Sequence, residues 1–142
     1  MPSALRARLP YLALVAATIG VGLAVHGDRH LLSAAARDVA GDALWAAMVW
    51  WGTGLLAPAT GRGKRALASV LFCFAVELSQ LHHSPGLDAL RRTTFGVLVL
   101  GSGFDRRDLG AYVLGVTLAA LLELAALAAR RRRGRPGSQG SA

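Results

Sequence analysis

Four apolar runs constrain this chain more than any other feature, because each is helix-length and each is bounded by polar or helix-breaking residues. They cover residues 10–25, 43–57, 66–81 and 109–129. A helix rises about 1.5 Å per residue and a hydrocarbon core is about 30 Å thick. The last run therefore crosses with room to tilt, and the first is near the minimum length. Hydrophobic residues make up 54% of the 142 and charged ones 17%, a balance that excludes a disordered or nucleic-acid-wrapping chain. We read an all-α, polytopic membrane protein of about four transmembrane helices plus a short re-entrant or interfacial segment before the last. Residues 1–9 form a cytoplasmic N-terminus, 10–129 a single four-helix membrane domain and 130–142 a basic, disordered cytoplasmic tail.

The connectors carry the breaking signals. The second run ends at Pro58, and the stretch to Arg65 holds Gly61, Gly63, Arg62 and Lys64, a tight turn. The third run stops at His82, His83, Ser84, Pro85 and Gly86. Residues 93–103 are apolar but too few to cross as a helix, so they re-enter or lie at the interface, packed among the helices. Arg6 and Arg8 ahead of the first run also fit part of a cleavable signal peptide, but no small-x-small site follows Val25 directly.

Orientation follows from the basic residues. With four spans, one side holds ten Lys and Arg (Arg6, Arg8, Arg62, Lys64, Arg65, the Arg130 to Arg133 run and Arg135) and the other six. Both termini are then cytoplasmic. The Arg130 to Arg133 run is a stop-transfer signal that also attracts anionic lipid; without a folded basic surface bearing interleaved aromatics it gives no nucleic-acid partner.

Ionisable groups in such runs are costly and mark the residues to question. Asp42 and Asp108 each open a span, where Asp is a favoured N-cap, so each reads as a cap or a reagent. Glu77 lies about four residues inside the third run and shares a helical face with Gln80. A carboxylate there needs relief, and the nearest basic partner by sequence is Arg91 or Arg92. Asp42, Glu77, Gln80, Asp88, Arg91, Arg92, Asp105 and Asp108 thus gather at the outer side as a polar site. Glu123 follows a stripe of small residues, Ala111, Gly115 and Ala119, that permits close helix approach, and it bonds a neighbouring helix or snorkels near Arg130. Gly96, Gly101 and Gly103 read as turn residues.

No metal or cofactor is expected. Glu77 and His82 lack ligand spacing on a helix, HExxH is absent, Cys73 stands alone, and the residues around Ser102 are not a GxSxG elbow.

The runs GDALWAAMVW from Gly41, FCFAVELSQL from Phe72, LDALRRTTFG from Leu87 and LGSGFDRRDLGAYVLGV from Leu100 together resemble a family of small bacterial membrane proteins, domain of unknown function 2809. The layout is also similar, more weakly, to VanZ-like proteins, which usually have an Asn near the position of Tyr112. The resemblance implies a four-span inner-membrane protein without an assigned reaction, with Asp42, Glu77, Gln80, Arg91, Asp105 and Asp108 as the shared polar signature. Three functions are compatible with these residues. The first is a cell-envelope accessory protein binding membrane lipid, a head group or a lipid-linked envelope precursor, which is not an enzyme. The second is a membrane-embedded enzyme with Glu77 as acid or base. The third is a small proton-linked transporter subunit using Glu77 and Glu123, for which a homo-oligomer would enclose the path.

Overall fold

The computed structural model describes residues 3–27, 30, 32–93, 96, 99–101 and 103–133. Among these, five α-helices have defined ends: α1 (Ser3–Gly27), α2 (Ala34–Leu56), α3 (Arg62–Ser79), α4 (Pro85–Arg91) and α5 (Arg106–Arg133). All the helices exceed or depart from the apolar runs for local reasons. The first of these is visible in α2, which starts nine residues before the second run: Ser33 caps it, its hydroxyl accepting from the Ala36 N–H at 3.3 Å, and the Ala-rich stretch that follows favours helix. Ser84 caps α4 in the same way with Pro85 in the first turn. At the far end, α5 continues through Arg130 to Arg133, where cations suit the negative end of the dipole.

α2 is the centre of the bundle, packed against α1 on one side and α3 and α5 on the other. Ala46, Trp50, Trp51, Cys73, Tyr112, Val116 and Ala119 form the core. Trp45 stacks on Phe72 with ring centroids 6.2 Å apart and tilts against Tyr112 at 5.5 Å. The small-residue stripe of α5 does what its spacing predicts. Ala111, Gly115 and Ala119 are buried, and Gly115 meets the backbone of α2 at Ala43.

The distribution of side chains is inverted relative to a water-soluble bundle. Leu67, Leu71 and Phe72 of α3 and Leu118, Leu121 and Leu122 of α5 are exposed, while Arg65, Ser69, Glu77, Gln80 and Arg91 are buried. Among the described residues two helices, rather than four, are long and apolar enough to cross a membrane by length and composition: Leu5–Gly27 and Arg106–Arg133. α2 is interrupted by Asp42, and the 18 residues of α3 begin with Arg62, Lys64 and Arg65 and contain Glu77. Of the expected re-entrant segment, residues 94, 95, 97, 98 and 102 lie outside the described residues, as does the expected disordered tail after Arg133. Its described part folds back onto the bundle. Gly101, at φ +69°, lies against the amide of Gln80 and is a turn residue as expected, whereas Gly96 is helical and packed against the backbone of Leu90, and Gly103 has nothing close to it among the described residues.

Candidate functional site

The helix period of α3 places its buried residues at every fourth position: Arg65, Ser69, Cys73 and Glu77. The two charged ends of this stripe build two polar clusters at opposite ends of the bundle.

At the acid-rich end, Glu77 is fully buried. Its Oε1 accepts from the Asp105 backbone N–H at 2.8 Å, and its Oε2 accepts from the Tyr112 hydroxyl at 2.8 Å and the Gln80 amide at 2.9 Å. Three neutral donors therefore replace the expected cation. They are positioned by α3 itself, by the start of α5 and by the turn before it, so the carboxylate ties these three pieces together.

Neither Arg91 nor Arg92 reaches Glu77. Arg91 instead donates to the carbonyls of Ser79 at 2.6 Å and His82 at 2.9 Å and meets Asp88 at 3.4 Å. It closes the C-terminal end of α3, whose last carbonyls lack helical partners, and so a guanidinium with several donors is held there rather than beside the acid. Asp88 also approaches His83 at 3.3 Å, and Arg92 is exposed.

Asp42 and Asp108 are not the caps that their place in the sequence predicts. Ser33 takes that role for α2, leaving Asp42 more than two turns inside. For α5 it falls to Asp105, whose Oδ1 accepts from the Arg107 N–H at 2.9 Å. The inward displacement brings the carboxyl groups of Asp42 and Asp108 within hydrogen-bonding reach of one another, beside Glu77. Among the described residues none of these three acids forms an ion pair. Among the described residues the amide oxygen of Gln80, a residue 6% exposed, is buried without a partner. The cluster holds more acceptors than donors.

At the basic end, Glu123 accepts both Nη groups of Arg65 at 3.2 Å, the Tyr11 hydroxyl at 3.1 Å and Arg62 Nε at 3.3 Å. Arg65 also lies over the Trp50 ring at 4.2 Å and the Tyr11 ring at 4.9 Å. Glu123 thus bonds neighbouring helices, one of the two expectations for it.

Tyr112 is the residue of the acid-rich site that sequence reasoning missed. Its signal was its place one position after Ala111 on the buried stripe, where a tyrosine hydroxyl needs a partner. Tyr11, Arg62 and Arg65 were missed in the same way at the other end. No group of His, Cys, Asp and Glu among the described residues is arranged to hold a metal ion. A shallow apolar groove of about 410 Å³ between α1, α2 and α5 is lined by Ala43, Ala47, Trp51, Gly115 and Leu118, among others.

Residues 31–116 match the model of a family described as a protein of unknown function (DUF2809). The matched stretch holds α2, α3, α4 and the first part of α5, hence the whole acid-rich cluster. No solved structure matches the chain.

Proposed function

We propose that this chain, which belongs to the DUF2809 family, is an inner-membrane protein whose α1 and α5 cross the bilayer, with both termini cytoplasmic, serving as an accessory protein of the cell envelope. Its acid-rich end faces outward and binds the head group of a membrane lipid or a lipid-linked envelope precursor. The bilayer placement is supported by the inverted side-chain distribution: exposed leucines on α3 and α5 suit acyl chains, whereas Arg65 and Glu77 are satisfied inside.

The observation that carries the binding reading is the meeting of the Asp42 and Asp108 carboxyl groups beside Glu77, together with a Gln80 amide oxygen that has no partner among the described residues. A ligand that completes them must donate hydrogen bonds, as an amine or a sugar hydroxyl does. Arg91 does not serve such a ligand, because its guanidinium is occupied by the Ser79 and His82 carbonyls. Glu77, with three donors on it, holds the site together rather than meeting the ligand.

Titrating the detergent-purified protein with lipid-linked envelope precursors and with phosphatidylethanolamine tests this. Binding by wild type that weakens in Asp42→Asn and in Asp108→Asn supports it, and equal binding in all three overturns it.

The polar stripe of α3 favours a second reading, proton-linked transport by an oligomer. Proton flux in vesicles that is lost in both Glu77→Gln and Ser69→Ala would select it over the accessory role.

A further inference from the structure

The basic end carries a second, independent arrangement. Glu123 accepts from Arg65, Tyr11 and Arg62, so two guanidinium groups face one carboxylate. Arg62 spends only its Nε there. Its side chain is 47% exposed, and its two terminal nitrogens make no hydrogen bond among the described residues.

Helical spacing adds two more guanidinium groups to this face. Arg8 precedes Tyr11 by three residues in α1, one turn away on the same side. Arg130 follows Glu123 by seven residues in α5, two turns on and again on the same side. Tyr11 and Arg62 both donate to Glu123, so three helices bring Arg8, Arg62 and Arg130 to the same end of the bundle, around the spot that Glu123 marks. All three are exposed. Apart from Glu123, which Arg62 shares with Arg65, the sequence around them supplies no acid: residues 1–27, 43–76 and 124–142 contain no Asp or Glu. Exposed Leu5, Leu9 and Leu12 on α1 and Leu121, Leu122 and Leu124 on α5 flank the spot.

We infer that Arg8, Arg62 and Arg130 form a site for the phosphate of an anionic phospholipid, whose acyl chains lie along the leucines of α1 and α5. Guanidinium forks match phosphate oxygens in pairs, and three of them from separate helices would clamp the bundle end when a phosphate sits between. The phospholipid is favoured over a free anion because the apolar flanks begin directly beside the cations. The site rests on the bilayer placement of the bundle but not on the ligand of the acid-rich end. A failed precursor titration in the Asp42 and Asp108 series therefore leaves it standing.

The test is thermal unfolding of the full-length protein in a neutral detergent with added phosphatidylglycerol, phosphatidylcholine or inorganic phosphate alone. Phosphatidylglycerol is expected to raise the midpoint in a saturable way and phosphatidylcholine to leave it unchanged. Arg8→Gln, Arg62→Gln and Arg130→Gln should each weaken the apparent affinity about tenfold, the loss of one charge-assisted contact. Arg132→Gln removes the same charge from the opposite face of α5 and should change nothing. Arg8 and Arg130 are exposed, so their variants keep the fold even if Arg62→Gln does not. An equal loss in Arg132→Gln would reduce the effect to diffuse attraction and overturn the site. A shift reproduced by inorganic phosphate alone would overturn the lipid assignment.

Discussion

Gly115 of α5 touches the backbone of Ala43 in α2. A Cβ built on Gly115 falls onto the Ala43 carbonyl oxygen and stands 2.8 Å from its carbon. No side chain lies between the two helices at this crossing, so the contact can yield only by moving a whole helix. Gly115→Ala is therefore expected to destabilise the protein by about 1–3 kcal/mol, the usual cost of overpacking a close contact. Gly54→Ala should cost less, because the added Cβ there meets the ring edge of Tyr11 and a terminal nitrogen of Arg65, side chains that can turn aside, rather than backbone. Thermal unfolding of both variants in detergent checks the order, and a larger loss in Gly54→Ala would contradict it.

Glu77 illustrates how a buried charge can be exchanged for a neutral group. In Glu77→Gln the new amide oxygen can still accept from the Asp105 N–H. Its NH2 can donate to the Tyr112 oxygen, and to the Gln80 oxygen that has no partner in wild type once that amide turns over. The expected change is within about 1.5 kcal/mol, the scale of one net hydrogen bond. Glu77→Ala strands three donors in the interior and should cost about 3–5 kcal/mol at the common rate of 1–3 kcal/mol per buried unsatisfied group, allowing for partial relaxation. Denaturant or thermal midpoints of the two variants should differ widely; equal midpoints would mean that the site is wet or unformed.

The sequence pattern made the helices legible because apolar periodicity and the Pro and Gly breaks are local signals. The helix caps were less legible. Hydropathy marks where a run turns apolar, not where a helix begins, so Asp42 was placed at an end that belongs to Ser33. The acid-rich site was legible as a set of residues, with Asp42, Glu77, Gln80, Asp105 and Asp108 brought to one place, but not as a pattern of bonds. Charge alone pointed to an arginine for Glu77. Whether a carboxylate is relieved by a cation or by neutral donors depends on tertiary geometry, and the Ser79 and His82 carbonyls compete for the same guanidinium. Tyr112 was invisible for the reason that Tyr11 was: an aromatic in an apolar run reads as packing until its hydroxyl is placed.

Arg91 gives a prediction about local rather than global stability. Its two carbonyl bonds fasten the end of α3 to α4. Arg91→Ala is expected to cost about 1–3 kcal/mol, the range for charge-assisted hydrogen bonds lost from a buried position. The damage should centre on residues 79–92, which would show faster amide exchange than the rest of the bundle. Arg91→Lys should recover only part of the loss, since one ammonium cannot reproduce the fork that spans both carbonyls. Uniform acceleration of exchange along all helices would rule out the local role.

Arg65 and Glu123 provide the strongest test of the inverted core. Their side chains are 3% and 11% exposed, and they meet through two nitrogens and two oxygens. Removing one partner leaves the other charge buried, so Arg65→Ala is expected to lose about 3–5 kcal/mol. Glu123→Leu should be nearly as harmful, because Arg65 and the half-exposed Arg62 would then repel each other with no carboxylate between them. Arg65→Met combined with Glu123→Leu removes both charges and fills similar volume, so the double variant should be more stable than either Arg65→Met or Glu123→Leu alone. The coupling comes from a double-mutant cycle on thermal or denaturant unfolding in detergent. Additive losses would mean that water reaches the pair, and that the basic end of the bundle is not closed in the way the Tyr11, Arg65 and Glu123 contacts require.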